Sequence, residues 1–246
     1  MRTIVITGGT DGIGRALAAH YLRAGERVVV VGRSRQKFDA LQQETGGDAR
    51  FIQADLSLVR EIERVVAELQ QYERIDALVL AASYVRYKRA ETEEGLEHQF
   101  ALFYLGRALL VRGLADRLGT VVNLVVPGAP KDAIQWNDLQ LEKDYTWKRT
   151  NLQFRRANEL LAVDLPIHVR YHRHSPGFVR TSFAGDVDGL ARMGVNVLVR
   201  VLGTTVDKAI RPIIALIDDD DRAEATRLRQ ETARIVEGVR STGRTP

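Results

Sequence analysis

The chain has 246 residues, of which 45% are hydrophobic and 28% are charged, and its formal net charge is +4. This size and composition are typical of one well-packed α/β domain, and they exclude a disordered or fibrous protein. The sequence contains no cysteine, which excludes disulfides, thiolate nucleophiles and cysteine-ligated metals. The isoelectric point is near 9.5. However, the basic residues are dispersed and form no stripe interleaved with aromatic residues, so we expect no nucleic-acid partner.

No apolar run reaches the roughly 20 residues that a transmembrane helix needs. The chain enters a strand of buried type at Thr3, without the charged and apolar regions of a signal peptide before it. We therefore expect a cytoplasmic protein that does not contact a membrane.

Short β-rich segments alternate with amphipathic helical patterns along most of the chain. The Val, Ile and Leu runs in these segments do not alternate with polar residues, which indicates parallel strands covered on both faces. We therefore predict one α/β domain over residues 1–246, with a Rossmann-like, doubly wound parallel sheet and helices on both faces. The predicted strands are Thr3–Thr7, Arg27–Val31, Arg50–Ala54, Ala77–Ala81, Thr120–Val126 and Ile167–His172, and predicted helices include Gly14–Arg23, Leu58–Tyr72 and Glu93–Leu118.

The pattern changes after Gly177. Residues 181–201 combine Gly and Asp with an apolar helical stretch, so we predict a lid over the ligand crevice there. Thr204–Ile217 and Glu224–Val236 are predicted as closing helices. His172 and His174 share a strand face, but no carboxylate is spaced with them, so we expect no metal site.

A glycine-rich turn, Thr7-Gly-Gly-Thr-Asp-Gly-Ile-Gly14, follows the first predicted strand and opens the first helix. Gly8 allows a tight turn, Gly12 lets the backbone approach a pyrophosphate, and Gly14 permits close packing of helix on strand. The helix N-terminus then offers N–H donors to the phosphates. This placement predicts a dinucleotide site. The expected cofactor contacts in the turn are Gly8, Thr10, Asp11, Gly12, Ile13 and Gly14.

The end of the second predicted strand indicates which dinucleotide binds. A carboxylate at this place would bind the ribose 2′-OH of NAD, but the sequence has Gly32-Arg33-Ser34-Arg35. Gly32 leaves room, and Arg33 can bind a 2′-phosphate through charge-assisted hydrogen bonds, helped by Ser34 and Arg35. We therefore predict NADPH as the cofactor. Asp55 and Leu56, after the third strand, are expected at its adenine ring.

Further segments follow the glycine turn at consistent spacing. They are Thr92-Glu-Glu-Gly-Leu-Glu97, Phe100-Ala-Leu-Phe-Tyr-Leu-Gly106, Val121-Val-Asn-Leu-Val-Val126, Asp138-Leu-Gln-Leu-Glu-Lys-Asp-Tyr145, Ala157-Asn158 and Pro176-Gly-Phe-Val-Arg-Thr181. Over about residues 1–181 the chain resembles the short-chain dehydrogenase/reductase family, particularly its retinol-dehydrogenase-like members. The resemblance implies further cofactor contacts from Ala81, Ala82, Pro176, Gly177, Val179 and Thr181.

The resemblance also implies a catalytic tetrad of Asn, Ser, Tyr and Lys. Carried over by register, these positions fall on Phe103, Val126, Asn151 and Arg155, so all four residue types are replaced. The family's Asn-Ala-Gly segment after the fourth strand is also altered, to Ala81-Ala82-Ser83. The chain therefore lacks the tyrosine that normally donates the proton and the lysine that normally lowers its pKa.

Hydride transfer itself needs a bound and oriented NADPH more than it needs these four residues. Asn151 can hydrogen-bond a ketone or an alkoxide, and Arg155 can replace the lysine at the ribose. The proton would come from solvent, from a side chain such as Ser83, Tyr84 or Tyr104, or from a phenol on the substrate. Phe103 and Val126 are expected to widen and dry the pocket, which favours a bulky aromatic ketone.

Some atypical members of the resembled family are ketoreductases that modify polyketides, as in antibiotic biosynthesis. We therefore predict an NADPH-dependent ketoreductase with Asn151, Arg155 and Ser83 as candidate catalytic residues. Two alternatives stay open: a pseudoenzyme that binds NADP(H) without turnover, and a cofactor-independent cyclase or isomerase. By analogy with the family we also expect a homodimer or homotetramer.

Overall fold

The computed structural model of the chain describes residues 1–177, 179, 204–218, 231, 232 and 234. The predicted lid over residues 181–201, the expected cofactor contact Thr181 and most of the predicted helix Glu224–Val236 lie outside the described residues.

The described residues form a parallel sheet in the order β3-β2-β1-β4-β5-β6. This order confirms the predicted doubly wound α/β fold, because the chain runs outward from β1 in one direction and then outward from β4 in the other. β1 is buried along its whole length and β4 is buried except at Asp76, as expected for strands covered on both faces. The strands are β1 (Thr3–Thr7), β2 (Arg27–Gly32), β3 (Ala49–Gln53), β4 (Ile75–Leu80), β5 (Leu118–Leu124) and β6 (Arg170–His174).

Helices cover both faces of the sheet and enclose two hydrophobic cores, one on each side. In the described ranges, no helix is both long enough and apolar enough to cross a bilayer. The helices are α1 (Gly12–Arg23), α2 (Arg35–Thr45), α3 (Val59–Leu69), α4 (His98–Phe100), α5 (Gly106–Gly113), α6 (Trp147–Leu160) and α7 (Val206–Asp218). A π-helical turn, Ala101–Leu105, joins α4 to α5.

The prediction of one helix over Glu93–Leu118 is wrong at both ends. Gly95 has a φ of +74°, which interrupts a right-handed helix. Glu97 then caps α4, because its carboxylate accepts hydrogen bonds from the backbone N–H groups of Gln99 at 2.9 Å and Phe100 at 2.7 Å. At the other end, α5 stops at Gly113.

The strand register brings the carboxyl ends of four strands to one edge of the sheet. Thr7 pairs with Val31 on one side and with Leu80 on the other, and Leu80 pairs with Asn123. The strand order reverses between β1 and β4, and ligands of open α/β sheets bind at such a reversal. The segments predicted to bind the cofactor and the ketone follow these strand ends.

Candidate active site

The glycine turn between β1 and α1 has no room for side chains at two positions. A Cβ atom on Gly8, whose φ is +68°, would lie 2.8 Å from the Cα of Ala82. A Cβ atom on Gly14 would lie 2.4 Å from the carbonyl oxygen of Gly8. The turn therefore packs tightly against both the helix and the end of β4, with no side chain between them, as the close approach of a pyrophosphate to this backbone requires. These observations fit the predicted dinucleotide.

Thr7, which sequence reasoning did not assign to the site, ties the turn to the end of β4. Its hydroxyl accepts hydrogen bonds from the N–H groups of Ala81 at 3.0 Å and Ala82 at 3.1 Å. The same hydroxyl donates to the carbonyl of Val79 at 3.3 Å. Ala81 and Ala82 are thereby held beside the turn as one wall of the crevice. The sequence signal was a hydroxyl residue at the end of an otherwise apolar strand.

Asp11 and Thr10 have local structural roles in the same turn. The Asp11 carboxylate caps α1 by accepting from the N–H of Gly12 at 2.7 Å, and it also pairs with Lys37. Thr10 is buried, and a Cβ on Gly32 would meet its Oγ1 at 3.1 Å. Gly32 therefore leaves space for the threonine side chain at the end of β2.

Three basic residues follow β2, and they differ in their partners. Arg35 pairs with Asp39 at 2.8 Å, and Lys37 pairs with Asp11. The guanidinium of Arg33 instead lies over the ring of Tyr84, 5.4 Å from its centroid, and within the described chain it forms no ion pair. Of these three basic residues, Arg33 is thus the one without an ion pair among the described residues. Ser34 caps α2 by accepting from the backbone N–H of residue 37 at 3.3 Å.

A cavity of about 270 Å³ lies beside Arg33, where an adenine ring is expected. Burial raises the pKa of Asp55, but hydrogen bonds from Ser57 and the positive charge of Arg33 outweigh burial and hold the pKa below its ordinary value. Asp55 is therefore an ionised acceptor at the cavity. Leu56, the other predicted adenine contact, has its side chain in the hydrophobic core. The cavity is lined by Arg33, Gln53, Ala54, Asp55, Leu58 and Glu61.

The two apolar residues that the sequence register assigns to tetrad positions, Phe103 and Val126, have different environments. Phe103 lies in the π-helical turn and is 6% exposed, because its ring stacks on Phe154 with centroids 4.7 Å apart. Phe103 therefore fills the core instead of widening an open pocket. Val126, two residues beyond β5, is 48% exposed and can present an apolar surface to a substrate.

The predicted catalytic residues lie near the end of β5, on α6 and after β4. The guanidinium of Arg155 donates to the carbonyls of Val126 at 2.9 Å, Pro127 at 2.9 Å and Gly128 at 3.2 Å, so it binds the loop after β5. Asn151 lies one turn earlier on α6, and Ser83 is exposed after β4. Neither side chain forms a hydrogen bond within the part of the chain that the structure describes.

A buried polar network, which sequence reasoning missed, lies beneath these residues. Arg107 of α5 is 4% exposed and donates to Asn123, to the carbonyl of Leu124 at 3.2 Å and to the carbonyl of Ala82 at 3.3 Å. Its guanidinium also lies 5.3 Å from the centroid of the Phe103 ring. Burial lowers the pKa of Arg107 to about 10, so the side chain keeps its proton at neutral pH. A buried cation thus connects the ends of β4 and β5.

Asn158 extends this network into α6. Its Nδ2 donates to the carbonyls of Phe103 and Phe154, both at 2.7 Å, and its Oδ1 accepts from Asn123 at 2.7 Å. Asn123 also donates to the hydroxyl of Tyr171 at 2.6 Å. The network fixes α6 and the π-helical turn against the carboxyl end of β5 and against Tyr171 of β6.

The segment after β6 reaches the same edge of the sheet. The carbonyl of His174 accepts from the N–H of Val125 at 3.1 Å, which extends the pairing beyond the strands. Pro176 and Gly177 follow, with a φ of +69° at Gly177. Val179 forms a parallel bridge with Thr204. Three of the four residues predicted to contact the cofactor in this segment are therefore near the end of β6.

The first half of the chain matches a family model. Residues 2–130 match the model described as short chain dehydrogenase. The chain belongs to the short-chain dehydrogenase family. Membership establishes an oxidoreductase family and a nicotinamide-cofactor fold, and it agrees with the glycine turn and the strand order.

Several curated relatives are about 30% identical to this chain over the residues that align. DnrU from Streptomyces sp. (strain C5), whose proposed activity is daunorubicin C-13 ketoreductase, is 31% identical over 73% of this chain and 67% of its own length. Retinol dehydrogenase 13 of Mus musculus is 29% identical over 67% of this chain and 53% of its own length. The chain thus spans only about half to two thirds of the length of these relatives.

Solved structures with lower identity show the fold alone. A short-chain dehydrogenase from Sphingobium yanoikuyae in complex with NADPH has a TM-score of 0.65 at 21% identity, with 100% of this chain and 97% of that chain covered. Levodione reductase has a TM-score of 0.66 at 20% identity, with 89% and 91% covered.

Proposed function

We propose that this protein is an NADPH-dependent ketoreductase that acts on a bulky aromatic ketone of polyketide type. The observation that carries the cofactor choice is Arg33, whose guanidinium forms no direct ion pair among the described residues and lies beside a cavity lined by the ionised Asp55. A 2′-phosphate on the adenosine ribose would supply a directly bound anion. The closed glycine turn supports the same dinucleotide.

The substrate class rests on the residues around the end of β5. Val126 offers an exposed apolar surface, and neither Asn151 nor Arg155 is an acid at neutral pH. DnrU, with its proposed activity on the C-13 ketone of daunorubicin, supports a ketone on a polycyclic aromatic skeleton. A phenol next to the ketone would provide the proton that these side chains cannot.

NADPH, when bound, supplies a hydride to the carbonyl carbon. The C=O π electrons then move to oxygen, and the alkoxide takes the proton of the neighbouring phenol, which becomes a phenolate and is later reprotonated by water. Asn151 is placed one helical turn before Arg155 and can donate an amide hydrogen bond to the ketone oxygen. Arg155 holds the loop that carries Val126, so it keeps that side of the pocket in place.

The cofactor is tested by fluorescence titration with NADPH and with NADH. Arg33→Ala removes a charge-assisted interaction of about 1.5–3 kcal/mol, so the NADPH Kd should rise about 10- to 100-fold while the NADH Kd is unchanged. Arg35→Ala is the matched control, because Arg35 already pairs with Asp39. Failure to bind either nucleotide would refute the reductase function, and equal losses in the two variants would refute the role of Arg33.

The proton source is tested by restoring the family's residue types in a double variant, Asn151→Tyr with Arg155→Lys. If the substrate supplies the proton, kcat for a phenolic ketone should not increase. A tenfold or larger gain in kcat would show that proton donation limits the native protein and would overturn the substrate-assisted step.

A further inference from the structure

Arg107 is a buried charge whose acceptors are all neutral. Its partners are two backbone carbonyls and the amide oxygen of Asn123. In the described part of the chain no carboxylate pairs with it. Burial of an unpaired charge is costly, and carbonyl dipoles solvate the guanidinium without cancelling its charge.

The position of Arg107 connects the two halves of the proposed site. Ala82, one acceptor, is the residue against which the Gly8 turn closes, so it belongs to the cofactor wall. Leu124, the other backbone acceptor, lies two residues before the exposed Val126 on the substrate side. The guanidinium therefore lies beneath the place where cofactor and ketone would meet.

Arg155 does not provide such a buried charge. It is partly exposed, and its donors are used by the carbonyls of Val126, Pro127 and Gly128. Arg107, in contrast, is shielded from water, where a charge acts over a longer distance because the effective dielectric constant is low. Its field would favour a negative charge at the end of β5.

We propose that Arg107 is the electrostatic positioning residue of this site, which fixes the ends of β4 and β5 and selects hydroxyaryl ketones because its charge stabilises their phenolate form. This inference rests on the proposed reductase function and specifies its substrate class. The phenolate is the anion that remains after the substrate gives its proton to the alkoxide. Stabilisation of that anion makes the phenol a stronger acid while it is bound.

The test is a visible-absorbance pH titration of 1-hydroxyanthraquinone bound to the full-length protein, because its phenol and phenolate forms absorb at different wavelengths. A unit charge about 10 Å away at an effective dielectric constant near 20 shifts a pKa by about one unit. The bound phenol should therefore ionise at least about one pH unit lower on wild type than on Arg107→Gln. Arg107→Lys, which keeps the charge, should restore the lower value.

Two further variants separate charge from folding. Asn123→Asp places a carboxylate against the guanidinium, so it should raise the phenol pKa as Arg107→Gln does, even if the glutamine variant does not fold. Arg112→Gln, at an exposed position of the same helix, is the matched control and should behave as wild type. If Arg107→Gln raised the phenol pKa only through lost packing, Arg107→Lys would not restore the lower pKa and Asn123→Asp would not raise it.

The outcomes distinguish the two levels of the proposal. If NADPH binds and the phenol pKa is the same on wild type, Arg107→Gln and Asn123→Asp, the role of Arg107 is wrong and the reductase function stands. If NADPH binds but 1-hydroxyanthraquinone does not, the hydroxyaryl ketone class is wrong. If NADPH does not bind, the proposed function itself fails.

Discussion

Replacement of Asn158 by alanine should destabilise the protein strongly although it removes no charge and little apolar surface. The side chain is fully buried and makes three hydrogen bonds of 2.7 Å, to the carbonyls of Phe103 and Phe154 and with the amide of Asn123. At about 1 kcal/mol for each bond, the loss is about 3 kcal/mol. After the substitution the amide of Asn123 can still donate to the Tyr171 hydroxyl. The carbonyl of Phe103 loses the side chain that donates to it, so we expect this carbonyl to contribute most to the loss.

The assay is urea unfolding followed by circular dichroism, with a thermal melt in parallel. For a chain of this size a loss of about 3 kcal/mol corresponds to a fall in Tm of about 6–12 °C. Asn151→Ala is the matched control on the same helix, because the Asn151 side chain makes no hydrogen bond among the described residues. Its effect should stay within about 0.5 kcal/mol. Equal effects of the two substitutions, or a loss below about 1 kcal/mol for Asn158→Ala, would refute the reasoning.

Two other substitutions test separate features. Gly14→Ala places a methyl group 2.4 Å from the carbonyl oxygen of Gly8, so it should cost about 1–3 kcal/mol in urea unfolding and weaken NADPH binding. Gly113→Ala, whose three nearest contacts are all side-chain atoms of Val66 and include no backbone atom, should cost less, and equal costs would contradict this account. Burial and a neighbouring arginine lower the pKa of His98 in the folded protein, so below about pH 6.5 the unfolded chain binds a proton that the folded protein does not. The free energy of unfolding should therefore decrease as the pH is lowered, by up to about 1.4 kcal/mol per pH unit. His98→Gln should flatten this dependence more than His20→Gln does, and an unchanged slope would contradict the effect.

The strands and the cofactor turn could be predicted because their signals are local. The predicted strands match the six strands of the described sheet, with ends displaced by no more than three residues. The signal is clearest in β1, β2, β4 and β5, whose apolar runs are covered on both faces and need no polar alternation. The turn from Thr7 to Gly14 could also be predicted, because its glycines are required by backbone geometry within eight residues. The fold class and a nicotinamide-cofactor family follow from these two signals.

The candidate site was less predictable where its geometry depends on residues distant in the chain. Arg155 was expected at a ribose, a prediction that stays untested, and the structure adds three carbonyl acceptors from a loop 27–29 residues earlier. Phe103 was expected to widen a pocket, but it stacks on Phe154 of another helix. No local pattern marks either partner.

The sequence by itself determined the α/β fold and the dinucleotide turn, because each is a matter of residue type at a fixed local spacing. Only the tertiary structure decided which charges are paired and which are buried. Arg107 is one of 36 basic residues in the sequence, and nothing next to it in the chain distinguishes it. It becomes the buried cation of the site because its acceptors at Ala82, Asn123 and Leu124 lie 16–25 residues away and are brought together only when β4 and β5 pair.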